Sequence, residues 1–533
     1  MIFGLLLASS MNQLVETFFD DTFAGVYHLD LFDWSLLIPY FAILLVLSCY
    51  GCHRYEMIRR YQRQKKQPSP PAPQTWEMLP KVTIQLPLYN ERYVVERLIE
   101  EVVKMDYPAE LLQIQVLDDS TDDTHPFTEQ LVREYRAAGM PIEYHHRTNR
   151  NGFKAGALQE GMKTATGEFI AIFDADFIPP RDFLRRTIDN FTDPTVGVVQ
   201  TRWTYTNRHY SLLTEVEAML LDGHFVIEHG ARYGSGLFFN FNGTAGILRA
   251  KMIDDAGGWQ HDTLTEDSDL SYRAQLKGWR FVYASDVECP SELPVETYAF
   301  QVQQSRWAKG LTQVALKLMP AILRSKVPLR VKLEAFFHLT PNISYPLMLL
   351  ISALTLPVMI VRFYMGWFQM LTIDLPLIIA SFWSISAFYL WGQHELFPKD
   401  WKRTLFLMPA LMAAGVALTL VNAKAVVEAL LGIKSAFART AKYAVGDRKV
   451  KIDNPEYRRR SGWLPYAELA IGAYFVLMVK FAIDTWNFPA IPFLLLFVAG
   501  YWWAGFSTLY QEFQGRLRWQ QERAAAALEK NAA

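Results

Sequence analysis

The chain has 533 residues, 51% hydrophobic, 14% aromatic and 20% charged, with a formal net charge of −1. This length allows more than one domain, and so many aromatic residues exclude a disordered chain. A charge near zero excludes a nucleic-acid binder, which needs a basic excess, and three Cys exclude a disulfide scaffold.

The mean hydropathy of +0.04 averages over strongly segregated segments. The apolar start MIFGLLLAS lacks a basic flank and is too short to span, so it predicts no cleaved signal. Trp34 to Cys52 is 19 residues without a charge, enough to cross a hydrocarbon core about 30 Å thick. Asp20, Asp21, Asp30 and Asp33 precede it, and Arg54, Arg59, Arg60, Arg63, Lys65 and Lys66 follow. The positive-inside rule therefore places residues 1–33 outside the cytoplasm and the basic flank inside. Cys49-x-x-Cys52 stands at this membrane edge with no second ligand pair to suggest zinc. A basic, Pro-rich linker follows over 53–80, and its PSPPAP run (68–73) is a stiff spacer.

Residues 81–325 contain no uncharged run long enough to span, which predicts a soluble cytoplasmic domain. Short β-branched runs at 82–86, 113–117, 142–146, 168–173 and 196–200 alternate with helical patterns such as 91–104 and 154–165. This alternation predicts an α/β domain with a mostly parallel sheet, whose ligands sit beyond the carboxyl ends of the strands. Acids stand at those ends. QIQVL runs into Asp118-Asp119, and EFIAIF runs into Asp174-Ala-Asp176. Two carboxylates one residue apart suit a divalent cation such as Mg²⁺ or Mn²⁺, but an isolated D-x-D triplet is more often a turn or a helix cap. Asn151-Gly-Phe-Lys154-Ala-Gly156 opens a helix that suits a diphosphate, or is a plain helix start with a solvated lysine. Thr265-Glu266-Asp267 opens another, where the acids cap the helix or Asp267 is a general base. In Gln303-Gln-Ser-Arg306-Trp307, Arg306 binds phosphate and Trp307 faces a sugar ring, or the pair is an interfacial Trp beside a snorkelling Arg.

Spanning patterns resume at Ile343–Val361, Leu375–Trp391, Leu464–Ile483 and Phe488–Phe506. Leu405–Val421 is a further apolar run, but counting it as a sixth span would put the basic residues of 431–462 outside. Pro409, Gly415 and the amphipathic stretch 422–432 instead predict an interfacial or re-entrant pair. The expected order is then interfacial helices with transmembrane helices 2 and 3 over 326–430, a basic cytoplasmic segment over 431–462, helices 4 and 5 over 463–507, and a cytoplasmic tail from 508 to 533. Only about 25 residues follow the last span, which predicts no further regulatory domain there.

The motifs D-D-S, D-A-D, T-E-D and Q-x-x-R-W, in this order, resemble the processive family 2 glycosyltransferases: cellulose, hyaluronan and mannan synthases. The cellulose-synthase-like A group, the glucomannan synthases, is most similar. The likeness rests on QLPLYNE (85–91), IQVLDDSTDDT (114–124), RNGFKAGALQEGM (150–162), AIFDADF (171–177), FNGTAGI (241–247), DAGGW (255–259), LKGW (276–279) and QQSRW (303–307). Phe437-Ala-Arg-Thr440-Ala-Lys442 is similar to the F-x-V-T-x-K gating loop of cellulose synthases, with Arg439 replacing the Val.

The resemblance implies a GT-A domain joined to a helical translocation channel of five spans plus interfacial helices. Asp118 and Asp119 would hold the nucleoside, Lys154 and Arg306 the diphosphate, and Asp174 and Asp176 the Mg²⁺ or Mn²⁺ ion. Asp267, beside Glu266, would be the catalytic base. Phe241, Asn242, Gly243, Gln303 and Trp307 would line the acceptor, and Phe437, Thr440 and Lys442 would gate the site. The implied activity is inverting transfer of hexose from GDP-mannose or UDP-glucose onto a β-1,4-linked glucan or mannan, which is exported across the membrane. Implied partners are the donor, the growing polysaccharide, the lipid bilayer and export proteins. A bacterial inner membrane is the expected location, with a Golgi membrane as the alternative. A non-processive glycolipid synthase would share the acids but tends to lack Q-x-x-R-W, and a non-catalytic channel or scaffold would not need the acids.

Overall fold

A computed structural model of the chain describes residues 27–67, 73–365, 375–434, 440, 442–446 and 462–532. The chain divides into two units, one of Met57–Thr340 with Glu428–Asp453, the other of Met1–Glu56, Pro341–Val427 and Asn454–Ala533.

The first unit is built on a seven-stranded sheet: β1 (Val82–Leu88), β2 (Leu112–Asp118), β3 (Ile142–His146), β4 (Phe169–Ile172), β5 (Val196–Tyr205), β6 (Gly246–Arg249) and β7 (Arg280–Ser291). Their spatial order is β3-β2-β1-β4-β6-β5-β7. β1 pairs in parallel with β2 and β4, β2 with β3, and β5 with β7, while β6 runs antiparallel to both β4 and β5. The sheet is thus mixed, as in GT-A domains. β1 and β2 are buried along their whole length, and their alternating polar residues satisfy one another there, Thr83 Oγ1 donating to Gln113 Oε1 at 2.8 Å and Gln85 Nε2 to Gln115 Oε1 at 3.0 Å. Two apolar clusters pack on the sheet, one containing Ile84, Ile114 and Phe169, the other Ile170, Val198 and Leu248.

In the second unit, Phe475, Met478 and Tyr501 pack with Phe497, whose ring stacks on Phe475 at 4.6 Å. Among the described residues, five helices are long and apolar enough to cross a membrane: Leu31–Lys65, Pro341–Tyr364, Trp401–Leu430, Leu464–Asp484 and Phe488–Leu517. This set of five includes the segment that the charge argument assigned to the interface. Pro409 lies inside the helix Thr404–Ala417 without ending it, as neighbouring helices permit in membrane segments. Leu375–Trp391, expected to span, falls in a helical stretch interrupted by a π turn at Ile379–Trp383 and is not among the five.

Candidate active site

The carboxyl ends of β1 and β4 open on a cleft of about 1250 Å³, counted to its open mouth. After β4 the chain leaves the sheet, and Asp174 N–H donates to Thr244 Oγ1 at 2.8 Å. Asp174 and Asp176 both line the cleft, and each is met by an ammonium group. Lys154, on the helix Phe153–Met162, pairs with Asp174 and also donates to Gly243 O at 2.9 Å. Burial opposes the Lys154 charge, but Asp174 and Glu266 outweigh it and raise its pKa. Lys442 pairs with Asp176 at 2.7 Å and also donates to Glu292 O. The buried Glu292 carboxylate accepts from Tyr443 N at 2.8 Å and Val445 N at 3.2 Å, which docks this stretch beside β7.

Glu266 and Asp267 occupy the first turn of the helix Glu266–Leu276, where the N-terminal dipole favours carboxylates. Asp267 Oδ1 accepts from Ser268 N at 2.7 Å. Burial, and then the adjacent Glu266, push Asp267 up to about 7, a value suited to proton transfer near neutrality. Glu266 is raised by burial, against the pull of Lys154. The helix Thr297–Arg324 brings Gln303, Arg306 and Trp307 to the same cleft. Burial lowers the Arg306 pKa despite Glu266, Asp174 and Asp267 nearby. Gly243 has φ +82°, and a Cβ there would lie 3.1 Å from Asp267 Oδ2. Only glycine meets both demands comfortably. The cleft therefore combines a base near neutrality, cations able to hold a diphosphate, and an aromatic side chain suited to a sugar face.

Residues 83–254 match the family described as Glycosyl transferase family 2, and residues 169–392 match Glycosyl transferase family group 2. Glucomannan 4-beta-mannosyltransferase 7 of Arabidopsis thaliana is 35% identical over 413 residues, covering 74% of this chain and 70% of its own. The chain belongs to glycosyltransferase family 2. This glycosyltransferase is also 44% identical over 255 residues to Glucomannan 4-beta-mannosyltransferase 1 of Oryza sativa subsp. japonica, covering 46% of this chain and 48% of that one. It thus spans about half the length of several curated relatives it matches. Among solved structures, the mannosyltransferase PcManGT of Pyrobaculum calidifontis, in complex with GDP-Man and Mn²⁺, is 23% identical. That similarity covers 68% of this chain and 99% of that one, with a TM-score of 0.48.

Most of the residues singled out in the sequence of this glycosyltransferase line one cleft: Asp119, Lys154, Asp174, Asp176, Asn242, Gly243, Glu266, Asp267, Gln303, Arg306, Trp307, Thr440 and Lys442. Two stand behind it. Asp118 is fully buried, accepting from Tyr144 Oη at 2.6 Å and Ser120 N at 2.8 Å. Phe241 packs in the apolar core under Gly246. Asp119 reaches the cleft in a bidentate pair with Arg147. Phe437 lies outside the described residues. The sequence reading did not pick out Arg150, which stacks over Tyr89 at 3.2 Å, nor Glu292. Arg150 stood in the quoted RNGFKAG text, whereas Glu292 had no local signature.

Proposed function

We propose that this protein transfers hexose, mannose foremost, from a nucleotide-activated donor to the end of a β-1,4-linked mannan or glucomannan, inverting the anomeric carbon. The observation that carries this reading is Asp267, held near neutrality in the same cleft as Lys154, Arg306 and Trp307. Asp267 accepts the proton of the acceptor hydroxyl as that oxygen attacks the anomeric carbon. The diphosphate leaves from the opposite face with the bonding electrons, and Lys154 and Arg306 meet its charge. No covalent enzyme intermediate is needed. The names of the relatives support a mannosyl donor, with GDP-mannose and UDP-glucose the two to be compared.

Among the described residues no three metal-binding side chains cluster. Asp174 and Asp176 nevertheless fit a Mg²⁺ or Mn²⁺ ion, because such ions bind through one or two carboxylates, with phosphate and water completing the shell. Bound there, the ion would neutralise charge on the leaving diphosphate. The helical unit buries Glu468, Asn422, Thr419 and Ser352. Polar groups inside membrane helices mark substrate paths, which supports passage of the polymer through that unit.

The test is purified protein in detergent with Mg²⁺ or Mn²⁺ and labelled GDP-mannose or UDP-glucose. High-molecular-weight product is expected, and Asp267→Asn should abolish it while nucleotide binding persists. Lipid-extractable product would indicate a glycolipid synthase, and no turnover with any donor would overturn the enzymatic reading.

A further inference from the structure

Behind the cleft wall the continuous helix from Leu212 to Gly234 is interrupted by a π turn at Gly223–His229. The turn carries His224 and His229, five residues apart. In an α-helix a five-residue step rotates a side chain by roughly 140° from the first, so the two would face apart. A π turn hydrogen-bonds residue i to i+5 and brings such residues onto one face. The rings accordingly lie 4.4 Å apart, and both reach Asn242.

His224 Nδ1–H donates to Glu228 Oε2 at 2.9 Å, so His224 Nε2 is free to accept from Asn242 Nδ2, also at 2.9 Å. His229 Nε2–H donates to Asn242 Oδ1 at 2.7 Å, and its Nδ1 is buried without a partner. Two imidazoles thus hold both ends of one amide. Burial, with His224 and Arg232 nearby, keeps His229 well below its usual pKa. Glu228 is itself anchored by Arg232 at 3.2 Å, and Arg232 pairs with Glu334 at 2.9 Å. The Asn242 backbone is held as well, its N–H donating to Gln200 Oε1 at 2.8 Å. Beyond Asn242 comes Gly243, which contacts Lys154 and faces Asp267.

We propose that His224 and His229 are positioning residues that, through Asn242, fix the acceptor-facing loop against Asp267. This rests on the reading of the cleft as a glycosyl-transfer site. Neither histidine touches the reacting atoms. They fix where the acceptor hydroxyl sits relative to the base, and a displacement of about 1 Å there costs on the order of 100-fold in rate.

The experiment measures, from one labelled donor, transfer to saccharide against hydrolysis to free sugar, with nucleotide affinity and melting temperature measured in parallel. Water needs no acceptor loop, so hydrolysis should survive loss of the clamp. His229→Ala is expected to lower the ratio of transfer to hydrolysis by about tenfold or more, with nucleotide affinity within about twofold of the parent. His229→Gln, whose amide can still donate to Asn242 Oδ1, should recover most of the ratio. If His229→Ala fails to fold, His224→Ala reads the same ratio. A parent-like ratio in the folded alanine variants overturns the clamp and leaves the proposed function standing. No sugar product from the parent with any donor overturns both.

Discussion

Asp267 joins the electrostatics of the cleft to its chemistry. Burial and Glu266 raise it to about 7, and as the proposed base it must be ionised to take a proton. Its working form is therefore lost as pH falls through its pKa, and transfer should drop on the acid side and level off above. A bound divalent cation would pull the other way, so the limb should lie at or below about 7. Glu266→Gln removes the neighbouring negative charge and should move the limb to lower pH. A pH–rate profile with no acid limb, or one that Glu266→Gln leaves in place, would count against Asp267 as the base. The acids were legible because each follows an apolar strand or opens a helix. Asp118 and Asp119 share the same text, yet successive residues leaving a strand face opposite ways. Asp118 turns under Tyr144, and Asp119 turns to the cleft. Which of the two reaches the cleft depends on how the strand leaves the sheet, which the motif does not state.

The helix Thr297–Arg324 packs on the helix Glu266–Leu276 through Val314 and Leu318 against Tyr272 and through the Lys317–Asp269 ion pair at 2.9 Å, and the approach is tightest at Gly310. A Cβ on Gly310 would lie 2.5 Å from Thr265 Cγ2 and 2.9 Å from Thr265 N, at the residue that caps the Glu266–Leu276 helix. That contact ties Arg306 and Trp307, one turn earlier on their helix, to Glu266 and Asp267. By helix propensity alone Gly310→Ala should stabilise by about 1 kcal/mol. Overpacking of about 1–3 kcal/mol is expected to exceed that gain, lowering both the melting temperature and transfer. A variant with full transfer and an unchanged or higher melting temperature would show that the two helices part without cost. All five strands read from the sequence are present: four lie inside the sheet, where their apolar residues are buried, and Ile142–His146 is its edge strand. β6 and β7 were not legible. β6 has four residues, and β7 is interrupted by exposed Ser285, Asp286 and Glu288, so neither makes a continuous apolar run. The antiparallel β6 is also what makes the sheet mixed where the alternating pattern implied a mostly parallel one.

For the chain as a whole, charge bias and hydropathy agree on five spans but differ on which helix is the third. Trp401–Leu430 in place of Leu375–Trp391 keeps the same parity, so the expectation that residues 81–325 and 431–462 share the cytoplasmic side is unchanged. The two arrangements differ only between those helices. In intact cells, on a background whose three native cysteines are replaced, a Lys399→Cys variant should react with a membrane-impermeant thiol reagent if Trp401–Leu430 spans. Protection of that cysteine would restore Leu375–Trp391 as the span. The positive-inside rule constrains the number of crossings, whereas identity depends on whether Pro409 ends its helix, which a count of charges does not state.

The π turn has a consequence for how this protein tolerates changes in length. Such a turn amounts to an α-helix carrying one surplus residue, and the surplus is what places His224 and His229 together. Deleting a single residue from 223–229 would leave a more regular helix, with every backbone bond in the ordinary register. Between the two histidines such a deletion would leave them four residues apart, still on one face; at Gly223 it would leave five α-helical steps, about 140°, and swing one away from Asn242. Two deletions equal in length and in their gain to the helix would thus have opposite effects on the clamp.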